Sequence, residues 1–363
     1  MKLKSLLAVV FACIISLGAW AQNDISVGEI TIINLGDGRI LHRSIYNENP
    51  INGEHRIIDG HKPEYKLAEF KDGLYDGKYE HYKNNKLIEK GVYKEGRKNG
   101  TFFEYYSDGK IKSETSFANG KRDGLRKTYF TNGKPETVQG FKDGVEDGVF
   151  QKWDWETGEL RIDKKYKDGK EHGKQFVYAS SNIGDLIIVS HYENGVQTGE
   201  YSETWTNGIT HEKGQYKDGK KDGIWLRFHK SGKPEASTTY KNGRLNGEFK
   251  TFFPNGTTVA KMVTYVNDEP EGLVNEFSPN SGKLKSEYYI YNRVKEGEYK
   301  MYYDDGTLQE EGLFENGSEV YRKEYYKNGQ IKKISALNAI GRWDTIESYN
   351  EDGSQKENSD KTK

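Results

Sequence analysis

The chain has 363 residues, 33% of them hydrophobic and 31% charged, with a formal net charge of -1. This balance excludes a large packed core. With no basic surplus, it also argues against nucleic acid as a partner and against general attraction to an anionic membrane. The 26 Tyr, 15 Phe and 6 Trp argue against disorder, and 41 Gly point to short strands broken by turns, with burial spread thinly as in a solenoid.

In chain order, the first segment has the layout of a secretory signal peptide. Lys2 and Lys4 supply positive charge, Leu6 to Leu17 a short apolar run, and Ala19-Trp20-Ala21 a small-x-small cleavage pattern. The run is too short for a spanning anchor, so no transmembrane segment is expected once residues 1–21 are removed. The mature chain is then expected to start at Gln22, with a net charge of -3 after loss of Lys2 and Lys4. The protein is expected to be exported, to the periplasm, the cell surface or the extracellular space. Cys13 is the sole cysteine, and Phe11 and Ile14-Ile15 around it fit lipoprotein processing badly. Its removal would exclude disulfides, thiolate metal sites and cysteine nucleophiles.

Beyond the leader the chain repeats itself. The phrase aromatic-x-Asx-Gly-x-x-polar-Gly runs from Phe70 to Gly77, and again from Tyr93, Phe117, Phe141, Tyr166, Tyr192, Tyr216 and Tyr240. Its closing glycines, at 77, 100, 124, 148, 173, 199, 223 and 247, are 23 to 26 residues apart. Weaker copies end at Gly272 and Gly297, and in a last one Tyr321 replaces the glycine. Gly53 and Gly28 continue the step backwards. Residues 22–64 are therefore read as degenerate repeats and 65–349 as tandem hairpin repeats.

A second turn lies between the phrases, as in Ser107-Asp108-Gly109-Lys110, Thr131-Asn132-Gly133-Lys134 and Asp304-Asp305-Gly306-Thr307. Asx-Gly suits a two-residue type I′ hairpin, whose central residues both need positive φ. That turn predicts the pairs Tyr106 with Ile111, Phe130 with Pro135, Phe253 with Thr258, Tyr303 with Leu308 and Tyr326 with Ile331. Five residues after the phrase-closing positions comes another aromatic column: Tyr82, Tyr105, Tyr129, Trp153, Tyr178, Phe228, Phe252, Phe277, Tyr302 and Tyr326, broken only after Gly199, where Thr204 is followed by Trp205. The predicted fold is all-β, an elongated single-layer twisted antiparallel sheet. Two strands per repeat at about 4.8 Å each make a ribbon on the order of 100 Å long. Residues 350–363 are expected to form a disordered polar tail.

The unit Gly-x-aromatic-x-x-aromatic-aromatic-x-Asx-Gly-Lys, closed by Tyr-Lys-Asp-Gly-x-x-Asp-Gly, resembles the bacterial variant of the MORN repeat. Gly100 to Gly124 and Tyr216 to Gly256 show it best. The resemblance covers residues 65 to 330, and weakly 28 to 64. It implies elongated antiparallel sheets that serve as interaction scaffolds. Many bacterial members carry the label of a YwqK-like antitoxin, so it also implies binding to another protein.

The chemistry-bearing residues form no known constellation. The eight histidines make no zinc spacing, and the Asp-Gly pairs lack the EF-hand pattern and are accounted for by turn geometry. A flat one-layer ribbon lacks the pocket that would tune a carboxyl pKa. No catalytic residue, cofactor, metal or enzymatic activity is therefore expected. The candidate binding residues are Trp153, Trp155, Trp205, Trp225, Tyr178 and Phe228, read as an exposed aromatic stripe. A protein partner is the leading expectation, with a surface glycan or cell-wall polymer as the alternative.

Overall fold

A computed structural model describes residues 23–180 and 184–356. The leader expected at 1–21 and residues 357–363 of the expected tail lie outside them. The chain divides into two compact units, Met1–Asp147 with Trp153–Gly158, and Gly148–Lys152 with Glu159–Lys363. Both are built of tandem antiparallel hairpins in chain order, and the described residues contain no α-helix.

Two kinds of turn alternate, and their assignment differs from the sequence expectation. The type I′ turn belongs to the phrase: Asp72 and Gly73 have φ of 50° and 78°, Asn119 and Gly120 51° and 81°, Asp218 and Gly219 52° and 76°. Lys217 and Lys220 face each other across the last of these. The second turn is a three-residue loop instead. Gly109 alone is left-handed there, with φ of 88°. Its N–H donates to the Tyr106 carbonyl at 2.9 Å, and Tyr106 N–H donates to the Lys110 carbonyl at 2.8 Å. Asp108 stays right-handed and accepts the Lys110 N–H at 3.1 Å through Oδ1. This is a type I turn closed by a left-handed glycine bulge. It moves the register by one residue at four of the five expected pairs: Tyr105 faces Ile111, Tyr129 faces Pro135, Tyr302 faces Leu308 and Tyr325 faces Ile331. The turn at 254–257 holds one more residue, so there the expected register stands: Phe252 faces Val259 and Phe253 N–H donates to the Thr258 carbonyl at 2.9 Å. Asx-Gly appears in both turns, which is why the dipeptide by itself misassigned them.

Each phrase turn is held by the repeat before it. The turn glycine donates its N–H to a backbone carbonyl there, Gly96 to Tyr75, Gly120 to Lys98, Gly219 to Gln197 and Gly243 to Lys221, at 2.8–2.9 Å. The preceding Asx N–H is taken by a side chain: Asp143 by Asp123, Asn242 by Asp222, Asn316 by Glu296. Those acceptors are the polar residue just before the phrase-closing glycine.

The closing glycine itself sits in a bulge, where three residues face one. Gly214, for example, faces Gly223, Ile224 and Trp225. The bulge lays the residue two after the glycine flat on the opposing strand. Phe102 lies over Gly91 and Trp225 over Gly214, so closely that a Cβ on the glycine would come within 2.4–2.6 Å of the ring. These rings then meet the phrase aromatics edge-on: Phe102 with Tyr93 and Phe117, Trp225 with Tyr216 and Tyr240. Lysine stems close the top. Lys98 Nζ is 4.2 Å from the Phe102 centroid and Lys221 Nζ 3.7 Å from that of Trp225, while Glu89 and Glu212 hold the two ammonium groups.

The first residues depart from the repeat. Strand β1 (Asp24–Ser26), β2 (Ile30–Asn34) and β3 (Ile40–Ser44) precede β4 (Gly53–Asp59), β5 (Glu64–Lys71), β6 (Leu74–Lys83), β7 (Lys86–Lys94) and β8 (Arg97–Tyr105). β1 runs parallel to β4 and covers its edge, while β2 and β3 pair only with each other. The β2–β3 hairpin brings Ile30 onto Ile57, Ala68, Phe70 and Tyr79, making a second layer with a small core. Of the degenerate repeats expected at 22–64, residues 30–44 thus form a cap, whereas Gly53–Asp59 joins the sheet antiparallel to β5, and the N-terminal unit is not single-layered throughout. At the other end, residues 350–356, assigned above to the tail, form an Asp-Gly turn in which Asn350 N–H donates to Ser354 O and Lys356 N–H to Ser348 O, both 2.8 Å.

Because Gly214 has ordinary φ, Gly214→Ala isolates the steric effect of the ring above it. It is expected to cost about 1–3 kcal/mol by overpacking, measured by urea denaturation. The cost should shrink in a Trp225→Leu background, where the ring is gone.

Candidate functional site

The six residues expected to form an exposed stripe do not form one. Trp225 is 2% exposed: its ring lies on Gly214 among Tyr201, Tyr216 and Tyr240, and Nε1–H donates to the Gln215 carbonyl at 3.2 Å. Trp205 is 7% exposed and packs on the His211 ring at 4.7 Å. Both are core residues. Trp155, at 47%, is exposed and sets its ring against the edge of Phe130, in the N-terminal unit. Trp153 is half-buried at the end of its strand. Tyr178 is half-buried, donates its hydroxyl to Asp185 at 2.6 Å, and has the Arg161 guanidinium 3.9 Å from its ring centroid. Phe228 is half-buried opposite Pro234, on the sheet face away from Trp225. The buried rings Tyr79, Phe102, Trp225 and Tyr299 lie two residues after closing glycines. The Gly-x-aromatic spacing of the repeat unit carried that signal, but only the bulge shows that it buries the ring.

On the face away from those rings, the C-terminal unit carries a row of aromatic-aliphatic pairs, one per hairpin. Phe228 faces Pro234, Phe252 Val259, Phe277 Leu284, Tyr302 Leu308 and Tyr325 Ile331. All ten residues are partly exposed. Carboxylates hold the tyrosine hydroxyls in place, Glu287 accepting from Tyr302 at 2.8 Å and Glu311 from Tyr325 at 2.6 Å. Burial, followed by the bond to Glu287, pushes the Tyr302 phenol up to about 12. Successive pairs stand two strands, roughly 10 Å, apart.

The N-terminal unit holds the concave surface that the sequence did not suggest. Its cap leaves a cleft of about 440 Å³ lined by Ile30, Ile57, Tyr75 and Tyr79 and also by Glu64, Lys66 and His81. Burial pushes the Tyr75 phenol up to about 12 and holds Tyr79 and Tyr93 well above the usual range. Buried His42 packs between the Phe70 and Tyr75 rings, with Nδ1 3.1 Å from the Gly73 carbonyl. Burial lowers its pKa, and so, less, does Lys66. Burial and then Lys66 also lower His81, whose Nε2 is 3.6 Å from Glu64 Oε2.

Six segments of the chain, residues 98–119, 122–143, 221–242, 245–267, 295–316 and 319–335, match the family described as MORN repeat variant. These segments are MORN-variant repeats. The match at 98–119 opens two residues before the closing glycine Gly100 and ends on Asn119 of the next phrase turn, so it coincides with one structural hairpin unit. No curated protein matches the chain. Among the described residues, no group of three or more His, Cys, Asp or Glu side chains is placed to hold a metal ion, and no helix is long and apolar enough to cross a membrane.

His42 gives the cap a pH dependence of definite sign. With a lowered folded pKa it stays neutral where the unfolded chain takes up a proton, so stability falls as pH drops below the ordinary histidine value of about 6.5. His42→Phe should reduce the shift in urea midpoint between pH 7 and pH 5, because the variant no longer has this proton to take up on unfolding.

Proposed function

We propose that the protein is an exported, non-enzymatic repeat scaffold that binds another protein through the outer aromatic row of its C-terminal unit. The observation that supports this reading is the row from Phe228 to Tyr325. Five partly exposed rings, each set beside an apolar partner, recur at a fixed spacing on a hydrogen-bonded sheet. Rigid rings of this kind add contact area at little entropic cost, and aromatic side chains dominate binding hot spots. The MORN-variant repeats support the scaffold reading, and an antitoxin-like role would be one form of it. The glycan alternative needed tryptophans free to stack on sugar rings, and burial of Trp205 and Trp225 takes away two of the four named for it.

Two measurements test the proposal. Tagged protein should recover one stoichiometric partner from envelope extracts, and Phe252→Ser with Phe277→Ser should cut that recovery about tenfold while circular dichroism stays unchanged. Background-level recovery, or equal recovery by the variant, refutes the binding surface. Export predicts an intact mass for the purified mature protein that begins at Gln22; a chain retaining Met1 to Ala21 refutes it.

A further inference from the structure

The cleft under the N-terminal cap is lined by polar groups that its own residues leave incompletely paired. Lys66 stands in the strand row between Ile57 and His81, and all three line the cleft. The nearby carboxylates are already engaged: Glu64 lies 3.2 Å from Lys83 Nζ, and Asp59 lies 3.7 Å from Lys62 Nζ. Among the described residues, Lys66 has neither an ion pair nor a hydrogen bond. His81 Nε2 is buried and makes no hydrogen bond, with Glu64 Oε2 3.6 Å away. Lys66 and His81 are thus cross-strand neighbours on a cleft that also carries Ile30, Ile57, Tyr75 and Tyr79. A polar atom shut away from water without a partner is destabilising, and a bound acceptor would relieve it. Ile30, Ile57 and Tyr79 add apolar surface to the lining, and the volume of about 440 Å³ lies within the range of small-molecule sites.

We propose that this cleft binds a small amphipathic carboxylate, with its head group on Lys66 Nζ and His81 Nε2–H and its apolar body against Ile30, Ile57 and Tyr79. The single uncompensated cation matches a carboxylate's one charge, whereas a phosphate monoester would bring up to two. The geometry asks for three things together: a negative head, an apolar body, and dimensions that fit beneath the β2–β3 hairpin. The site is independent of the outer aromatic row, so its occupancy is separable from capture of a protein partner.

Isothermal titration of the full chain with octanoate, octanol and octylamine tests the assignment. Octanoate should bind, and octanol and octylamine at least about tenfold more weakly. Lys66→Gln should weaken octanoate about tenfold or more, and Lys66→Glu should reverse the preference toward octylamine, with the far-UV circular dichroism of both variants unchanged. Equal affinity for octanoate and octanol overturns the proposal. So does the absence of octanoate heat at millimolar concentration, or an unchanged Kd in Lys66→Gln.

Discussion

The structure depends on a left-handed Asx-Gly turn whose two N–H groups are satisfied by the repeat before it. A type I′ turn places two residues at positive φ, which glycine adopts freely and Asx tolerates. It also points two backbone donors away from its own hairpin. Gly120 gives its N–H to the Lys98 carbonyl, and Asp143 gives its own to the Asp123 carboxylate. An isolated hairpin would leave both donors to water. Stacking hairpins turns each turn into a fixed contact with its predecessor, and this nearest-neighbour coupling is what repeat architectures are made of. The spacing between phrase turn and closing glycine follows from it, because the acceptor side chain must precede that glycine by one residue.

The second constraint is how so polar a chain buries anything at all. Several repeats contribute a ring two residues after the closing glycine, and at Phe102 and Trp225 it lies on a strand where a side chain is missing. Gly214 is what allows the Trp225 ring to reach the backbone, and the phrase aromatics Tyr216 and Tyr240 close its edges. The Lys221 stem and its Glu212 partner finish the cover, so charged residues do the work that a second apolar layer does elsewhere. Surface ion pairs of this kind contribute at most about 1 kcal/mol each. Their value here lies in holding the alkyl stem over the ring. A chain with nearly one-third charged residues can then still bury rings such as Phe102 and Trp225.

The same geometry gives the two sheet faces different duties. One face carries the buried rings. The other keeps its aromatic-aliphatic pairs only half covered, as the row from Phe228 to Tyr325 shows, and so retains surface for a partner. In the N-terminal unit the buried face is treated differently. The β2–β3 hairpin lies over it, Ile30 joins Ile57 and Phe70, and the incomplete closure between the layers leaves a cleft edged by Lys66 and His81. The rows on an open face and the concavity under a cap are separate features, produced by separate segments.

Much of this could be read from the residues in order. The period, the paired turns, the all-β class and the likeness to the MORN variant all lie in local patterns: Asx-Gly spacing, alternating apolar residues and a recurring aromatic. Local patterns do not, however, say which of two Asx-Gly turns is type I′. That depends on whether the Asx side chain accepts from its own loop, as Asp108 does, or the turn docks on a neighbour, as Asn119-Gly120 does. Nor do they say which rings are hidden: Trp225 and Trp155 look alike in sequence, and only the bulge opposite Gly214 buries the first. The cap over β4–β6 was likewise illegible, because its contacts join residues such as His42 and Gly73 that no repeat period relates. Sequence by itself thus determined the element type and the repeat length, which short-range turn chemistry sets. Register, burial and the cleft were decided by the tertiary structure, because they arise from strands meeting across the sheet.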